Sequence, residues 1–107
     1  MSLDVSLTIV KPCEIYSANI THNLNEMARE AGIYQSVWRP EELGIRQAND
    51  LIEPLRQGIT LLKSDPERFK KFDAPNGRGT YEQFVPWLEQ YLSACLATPH
   101  ATVEVNR

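Results

Sequence analysis

A glycine-rich loop that leads into a helix start is the first feature of this sequence that could do chemistry. Its six residues are Asn76, Gly77, Arg78, Gly79, Thr80 and Tyr81. Glycines let backbone N–H groups approach an anion, a helix start carries about half a positive charge, and an arginine can bind an anion through two hydrogen bonds. The loop is therefore a candidate site for a phosphate or a nucleotide. It lacks the spacing and the lysine of a P-loop, and we favour a turn that delivers Thr80 as a helix cap.

A polar cluster of His22, Asn23 and Glu26 is the second candidate. His22 and Glu26 are four residues apart, so on a helix they could share a proton or hold a metal. A zinc site normally takes at least three protein ligands, and the sequence shows no recognisable triad that would use His22. We favour a structural role, in which the side chains of residues 19 and 21–23 (Asn19, Thr21, His22 and Asn23) satisfy backbone groups where the first strand turns into the helix. We expect no catalytic residue, no metal and no cofactor.

Trp38 and Arg39 form the third candidate, an interface. Tryptophan and arginine are over-represented among the residues that dominate binding energy at protein interfaces. In the alternative, which we favour, Trp38 belongs to the core and Arg39 pairs with Glu41 or Glu42.

The elements that position these residues begin with a strand at each end of the chain. Apolar and polar residues alternate from Leu3 to Ile9 and from Ala101 to Asn106, which is the period of a half-buried strand. We expect the two terminal strands to pair. Pro12 has no N–H to donate, so the first strand should end there, bulge there or lie at a sheet edge.

Helical spacing replaces this alternation in the middle of the chain. A first stripe contains Ile20, Leu24, Met27, Ala28 and Ala31 and ends at Gly32. The longest stripe lies between Ala48 and Leu62 and contains Pro54. A helix that continued straight through this proline would lose about 3 kcal/mol. The helix should therefore restart at Asp50 or bend at Pro54, and we favour the bend.

Two further helices complete the prediction. One begins at Asp65 and Pro66, and the other begins at a capping box of Thr80 and Gln83 and should bend at Pro86. The predicted fold is α+β and a single domain over residues 1–107. Three to four mostly amphipathic helices pack on a small antiparallel sheet formed by the N- and C-terminal strands.

Composition narrows the classes of partner. The 107 residues carry a net charge of −3, whereas nucleic-acid-binding domains are more often basic, so we expect a partner other than a nucleic acid. We find no membrane-spanning stretch and no signal peptide. We expect a cytoplasmic protein in which Cys13 and Cys95 are reduced. Homo-oligomerisation would enlarge the small core.

Three blocks of the sequence resemble a family of small phage and prophage proteins. The blocks are Ser17–Leu24 (SANITHNL), Trp38–Glu42 (WRPEE) and Asn76–Glu82 (NGRGTYE). The resemblance extends from about Ile15 to Arg107, with Arg78 at a position where other members often have tryptophan. The family has no assigned activity. The resemblance therefore implies a phage-related origin and an intracellular setting, and it transfers no catalytic residue.

These observations favour a non-enzymatic accessory protein that binds a host or phage protein. We expect its contact surface to include Trp38, Arg39 and the Asn76–Tyr81 loop. The alternative is a protein that binds or sequesters a nucleotide or another phosphorylated ligand at the Gly77–Thr80 helix start. An enzyme that uses His22 ranks third.

Overall fold

Alternating apolar and polar side chains make the N-terminal segment the central strand of an antiparallel sheet. The computed structural model describes residues 2–10 and 13–107. Its strands are β1 (Ser2–Val10), β2 (Cys13–Thr21) and β3 (Thr102–Asn106). They lie in the order β2-β1-β3, and β1 is antiparallel to both neighbours. The predicted pairing of the N- and C-terminal strands is confirmed.

Helices cover one face of this sheet. Leu3, Val5 and Leu7 of β1 are fully buried in the hydrophobic core. Asp4 and Ser6 lie on the opposite face, because successive side chains of a strand point to opposite sides. The sheet therefore has an apolar face towards the helices and a polar face away from them.

Five α-helices and three 3-10 turns lie between β2 and β3 in the described chain. The helices are α1 (Asn25–Glu30), α2 (Tyr34–Trp38), α3 (Ile52–Ser64), α4 (Pro66–Lys70) and α5 (Tyr81–Ala97). The 3-10 turns are His22–Leu24, Pro40–Leu43 and Ala48–Leu51. The two longest helices, α3 and α5, pack against each other. The fold is α+β, as predicted.

Strand β2 corrects the predicted start of the first helix. We expected Ile20 to begin a helical stripe, but Ile20 lies in β2 opposite Leu3. Tyr16, Ala18 and Ile20 alternate with polar residues, so this segment also has the period of a strand. Pairing with β1 decides between the two periods, because the β1 backbone needs a partner on this side. The helix begins only at Asn25.

The predicted bend at Pro54 is also wrong. The chain makes a separate 3-10 turn from Ala48 to Leu51, and α3 starts at Ile52. Pro54 thus lies in the first turn of α3, where backbone N–H groups have no acceptor within the helix, so its missing N–H costs no hydrogen bond. The later proline, Pro86, lies inside α5.

Other local signals are confirmed. Gly32 follows α1 with a φ of 76°, a left-handed conformation that favours glycine. Thr80 caps α5, and its capping box with Gln83 is complete. Pro66 is the first residue of α4.

The structure bears on part of what was predicted for the cysteines and for a membrane-spanning stretch. Cys95 is a buried free thiol, whereas Pro12 and the side chain of Cys13 lie outside the described residues. In residues 2–10 and 13–107, no helix has both the length and the apolar character needed to cross a bilayer.

Replacing Gly58 by alanine should destabilise the protein. The added Cβ would press against the Cγ2 methyl of Ile33, which is itself buried. Overpacking of this kind costs about 1–3 kcal/mol and should exceed the gain of about 1 kcal/mol from helix propensity. Urea unfolding measures the difference. The neighbouring Gln57→Ala change is the control, because Gln57 is exposed and a surface change usually alters stability by less than about 0.5 kcal/mol. A Gly58→Ala variant as stable as the parent would contradict the close packing.

Candidate functional site

The structure brings the glycine-rich loop and part of the polar cluster together. Asn23 Nδ2 donates a hydrogen bond to the carbonyl oxygen of Arg78 at 2.7 Å. Gly79 is buried, with a φ of 114°, and a Cβ at this position would lie 3.0 Å from the Cβ of Asn23 and 3.1 Å from the Cγ2 of Thr21. The loop therefore packs closely on the turn that joins β2 to α1.

The backbone donors of the loop already have acceptors within the protein. Each backbone N–H from Gly77 to Tyr81 donates a hydrogen bond at 2.7–3.2 Å. The acceptors, in chain order of the donors, are Ala74 O, Asn76 Oδ1, Gln83 Oε1 (for both Gly79 and Thr80) and Asp73 Oδ1. The Asp73 carboxylate thus lies at the N-terminus of α5, where the helix dipole favours negative charge. A bound phosphate would have to displace these internal acceptors. The geometry favours the turn that caps α5.

His22 acts as the hydrogen-bond acceptor for a buried tryptophan. Trp38 Nε1 donates to His22 Nδ1 at 2.9 Å, so the proton of the neutral imidazole is on Nε2. The link between His22 and Glu26 that we considered as the alternative to a structural role is not formed, because His22 lies in the 3-10 turn and Glu26 pairs with Arg29 at 2.8 Å. Within the described residues, no group of three or more His, Cys, Asp or Glu side chains could hold a metal ion.

Trp38 belongs to the core, and Arg39 lies at the surface beside it. Trp38 is only 1% exposed and packs against Tyr34 and Phe84, with ring centroids 5.6 and 6.3 Å away. Arg39 forms an ion pair with Glu42 at 3.3 Å, one of the two partners considered from the sequence. Of the two residues considered for an interface, only Arg39 is accessible to another molecule.

Two buried titratable groups on α5 do not supply a nucleophile. Burial raises the pKa of the Cys95 thiol to about 12, and a protonated thiol is a poor nucleophile. Burial, with a smaller contribution from Cys95, also raises the pKa of the Tyr91 hydroxyl. That hydroxyl has no hydrogen-bond partner among the described residues.

Sequence reasoning missed a layered arrangement of side chains that we name the Tyr34 patch. It comprises Arg29, Tyr34, Arg39 and Leu43. The Arg29 guanidinium carbon lies over the Tyr34 ring, 4.1 Å from its centroid, and the indole of Trp38 is stacked with the same ring at a centroid distance of 5.6 Å. Arg39 Nε donates to the Tyr34 hydroxyl at 3.4 Å, and Leu43 is 50% exposed.

Part of the Tyr34 patch could be predicted from the sequence. The apolar and aromatic segment from Ile33 to Trp38 predicts that Tyr34 docks on the core, and its stacking on Trp38 agrees with that. The position of Arg29 over the ring depends on the relative orientation of α1 and α2 across the turn at Gly32, and residue types alone do not define that orientation.

Replacing His22 by alanine should destabilise the fold by about 1–3 kcal/mol, because the buried N–H of Trp38 would lose its acceptor. Chemical unfolding followed by tryptophan fluorescence measures the loss. His100→Ala is the matched control, since His100 is exposed. Equal stability of the His22→Ala variant and the parent would contradict the structural role of this hydrogen bond.

Phosphate and nucleotides should add no specific thermal stabilisation, because the loop donors already have acceptors within the protein. A specific ligand at 100 times its dissociation constant would add about 2.7 kcal/mol. The comparison needs a second salt at equal ionic strength, since phosphate stabilises many folded proteins by exclusion from their surface. A specific stabilisation that Arg78→Ala abolishes would contradict this prediction.

Comparison with known proteins assigns no family to the chain. No protein-family model, no curated protein and no solved structure matches it. The resemblance of the three sequence blocks to phage and prophage proteins therefore stays a prediction. The function has to be argued from the surface of the molecule itself.

Proposed function

We propose that this protein is a non-enzymatic accessory protein that binds another protein through the Tyr34 patch. The observation that carries the proposal is the stack of Arg29, Tyr34 and Trp38, which presents tyrosine and arginine at the surface in a fixed arrangement. Tyrosine, arginine and tryptophan are the types enriched among residues that dominate binding energy.

The rigidity of the patch favours binding. The ring of Tyr34 contacts both Arg29 and the fully buried Trp38, and these contacts restrict its side-chain freedom before association. Ordering a mobile side chain at an interface costs about 0.5–1.5 kcal/mol. A surface ordered before contact avoids that cost.

The charges around the patch suit a protein partner. Arg29 and Arg39 each form an ion pair with a neighbouring glutamate. Leu43 offers apolar contact beside a groove of about 340 Å³, which Arg29, Tyr34, Gln35 and Ser36 also line. An apolar centre with a charged rim is the usual anatomy of a protein interface.

The partner that we propose is a host or phage protein, and the place of action is the cytoplasm. The resemblance to phage and prophage proteins supports both. A protein is favoured over a nucleic acid because basic residues such as Lys63 and Arg68 are held by Glu89 and Glu30. The chain as a whole is acidic.

Affinity capture from host lysates, in which the amount of each captured protein is quantified, tests this proposal. Leu43→Asp should weaken capture about tenfold or more, since a charge would be buried in the apolar centre of the interface. Arg29→Ala should also weaken it by removing the outer layer of the stack. Leu96→Asp is the matched control, because Leu96 is similarly exposed, at 46%, and lies outside the patch.

The expected result is one stoichiometric partner that the parent and Leu96→Asp retain and Leu43→Asp loses. Equal capture by Leu43→Asp and Leu96→Asp would show that the partner binds elsewhere. Recovery of no stoichiometric partner from several host lysates would contradict the proposal as a whole. A partner that proves to be a second copy would contradict the proposed host or phage protein.

A further inference from the structure

We propose that β2 and α5 form a second binding site, at which an extended segment of another polypeptide is added to the sheet as a fourth strand. Strand addition of this kind obtains affinity from backbone hydrogen bonds and specificity from pockets for alternate side chains. This site is distinct from the Tyr34 patch, so the two proposals can fail separately.

The two edges of the sheet differ in how they are protected. On β3, the Val103 N–H donates to the carbonyl oxygen of Arg46 at 2.9 Å, and Gln47 forms a bridge to Thr102. β3 is also short, with five residues. A short, covered edge is a common protection against unwanted pairing.

β2 has nine residues, and the cover found along its outer edge in the described chain is one side-chain hydrogen bond. The carbonyl oxygen of Asn19 accepts a hydrogen bond from Trp87 Nε1 at 3.1 Å, so the backbone of Asn19 points away from β1. Backbone direction alternates along an antiparallel strand, so the N–H and C=O of Ser17 also point outward. No hydrogen bond to them is found among the described residues. Ser17 thus offers a donor and an acceptor to an added strand.

A groove beside this edge can take a side chain of the added strand. It measures about 420 Å³ and is lined by Tyr16, Pro86, Glu89, Gln90 and Ser93. The Tyr16 ring is stacked on the buried Tyr91, with centroids 5.9 Å apart, so it is a fixed wall. Pro86 adds an apolar ring on the α5 side.

The charges at the edge define the occupant. No residue from Ile15 to Thr21 is charged, so strand addition along this segment of β2 removes no charged side chain of the segment from water. Glu89 in the groove is held by Lys63 at 2.6 Å. The fitting partner is therefore an extended, uncharged segment that places one apolar or aromatic side chain against Tyr16 and Pro86.

Selection of short random peptides against the full chain tests the proposal, with Ser17→Pro as the decisive variant. Proline removes the outward N–H and is tolerated on edge strands. Selected peptides should bind Ser17→Pro about tenfold more weakly or worse than the parent. Ser17→Ala is the control, because it keeps the N–H and should bind as the parent does.

Ser93→Phe is a second variant, on the exposed surface of α5, that keeps the test decisive if Ser17→Pro does not fold. It should fill the groove and also weaken binding, whereas Thr60→Phe on the exposed surface of α3 should not. Failure to select any peptide, or full binding to a folded Ser17→Pro or to Ser93→Phe, would overturn the proposal. A dimer of the chain alone that Ser17→Pro or Ser93→Phe dissociates would identify a second copy as the occupant and overturn the proposed partner.

Discussion

The pairing of β1 on both sides is the constraint on which the rest of the fold depends. In the described sheet, β1 is the strand that has a neighbour at each edge, β2 on one side and β3 on the other. Its residues Leu3, Val5 and Leu7 all face the helices and are fully buried. Because one face of β1 is apolar and the other polar, all helices pack on the same side. The outer strands then form the two edges of the sheet.

A second set of contacts connects this sheet to the surface that we propose for binding. The hydrogen bond from Trp38 to His22 attaches α2 to the end of β2. Tyr34 stacks on that fixed indole, and Arg29 lies on Tyr34. The position of an exposed arginine is thus determined by a buried tryptophan. The core and the Tyr34 patch are one continuous arrangement of side chains.

Local signals in the sequence predicted those parts of the fold that neighbouring residues decide. The capping box at Thr80, the left-handed Gly32 and the proline at the start of α4 depend on contacts within a few residues. β2 was missed because Ile20 fits both a strand and a helix period, and only pairing with Leu3 decides between them.

The candidate site was less predictable, because it depends on contacts between distant parts of the chain. Residue types alone suggested an anion site in the glycine-rich loop, but its donors are occupied by acceptors such as Asp73 and Gln83. The contact of Asn23 with Arg78 joins residues 55 positions apart. The edge of β2 could not be recognised before β2 itself was known. Function in this chain therefore had to be argued from tertiary contacts.

Amide hydrogen exchange, resolved residue by residue, tests most directly the account of a central β1 with one covered and one open edge. The amides of Val5 and Ser6 should exchange slowly, because they point to opposite neighbours of β1. The amide of Val103 should also exchange slowly, because it donates to Arg46 at the covered edge. Ser17 should exchange much faster than these three. Protection of Ser17 equal to that of Val5, or rapid exchange of Val5 and Ser6, would contradict the account.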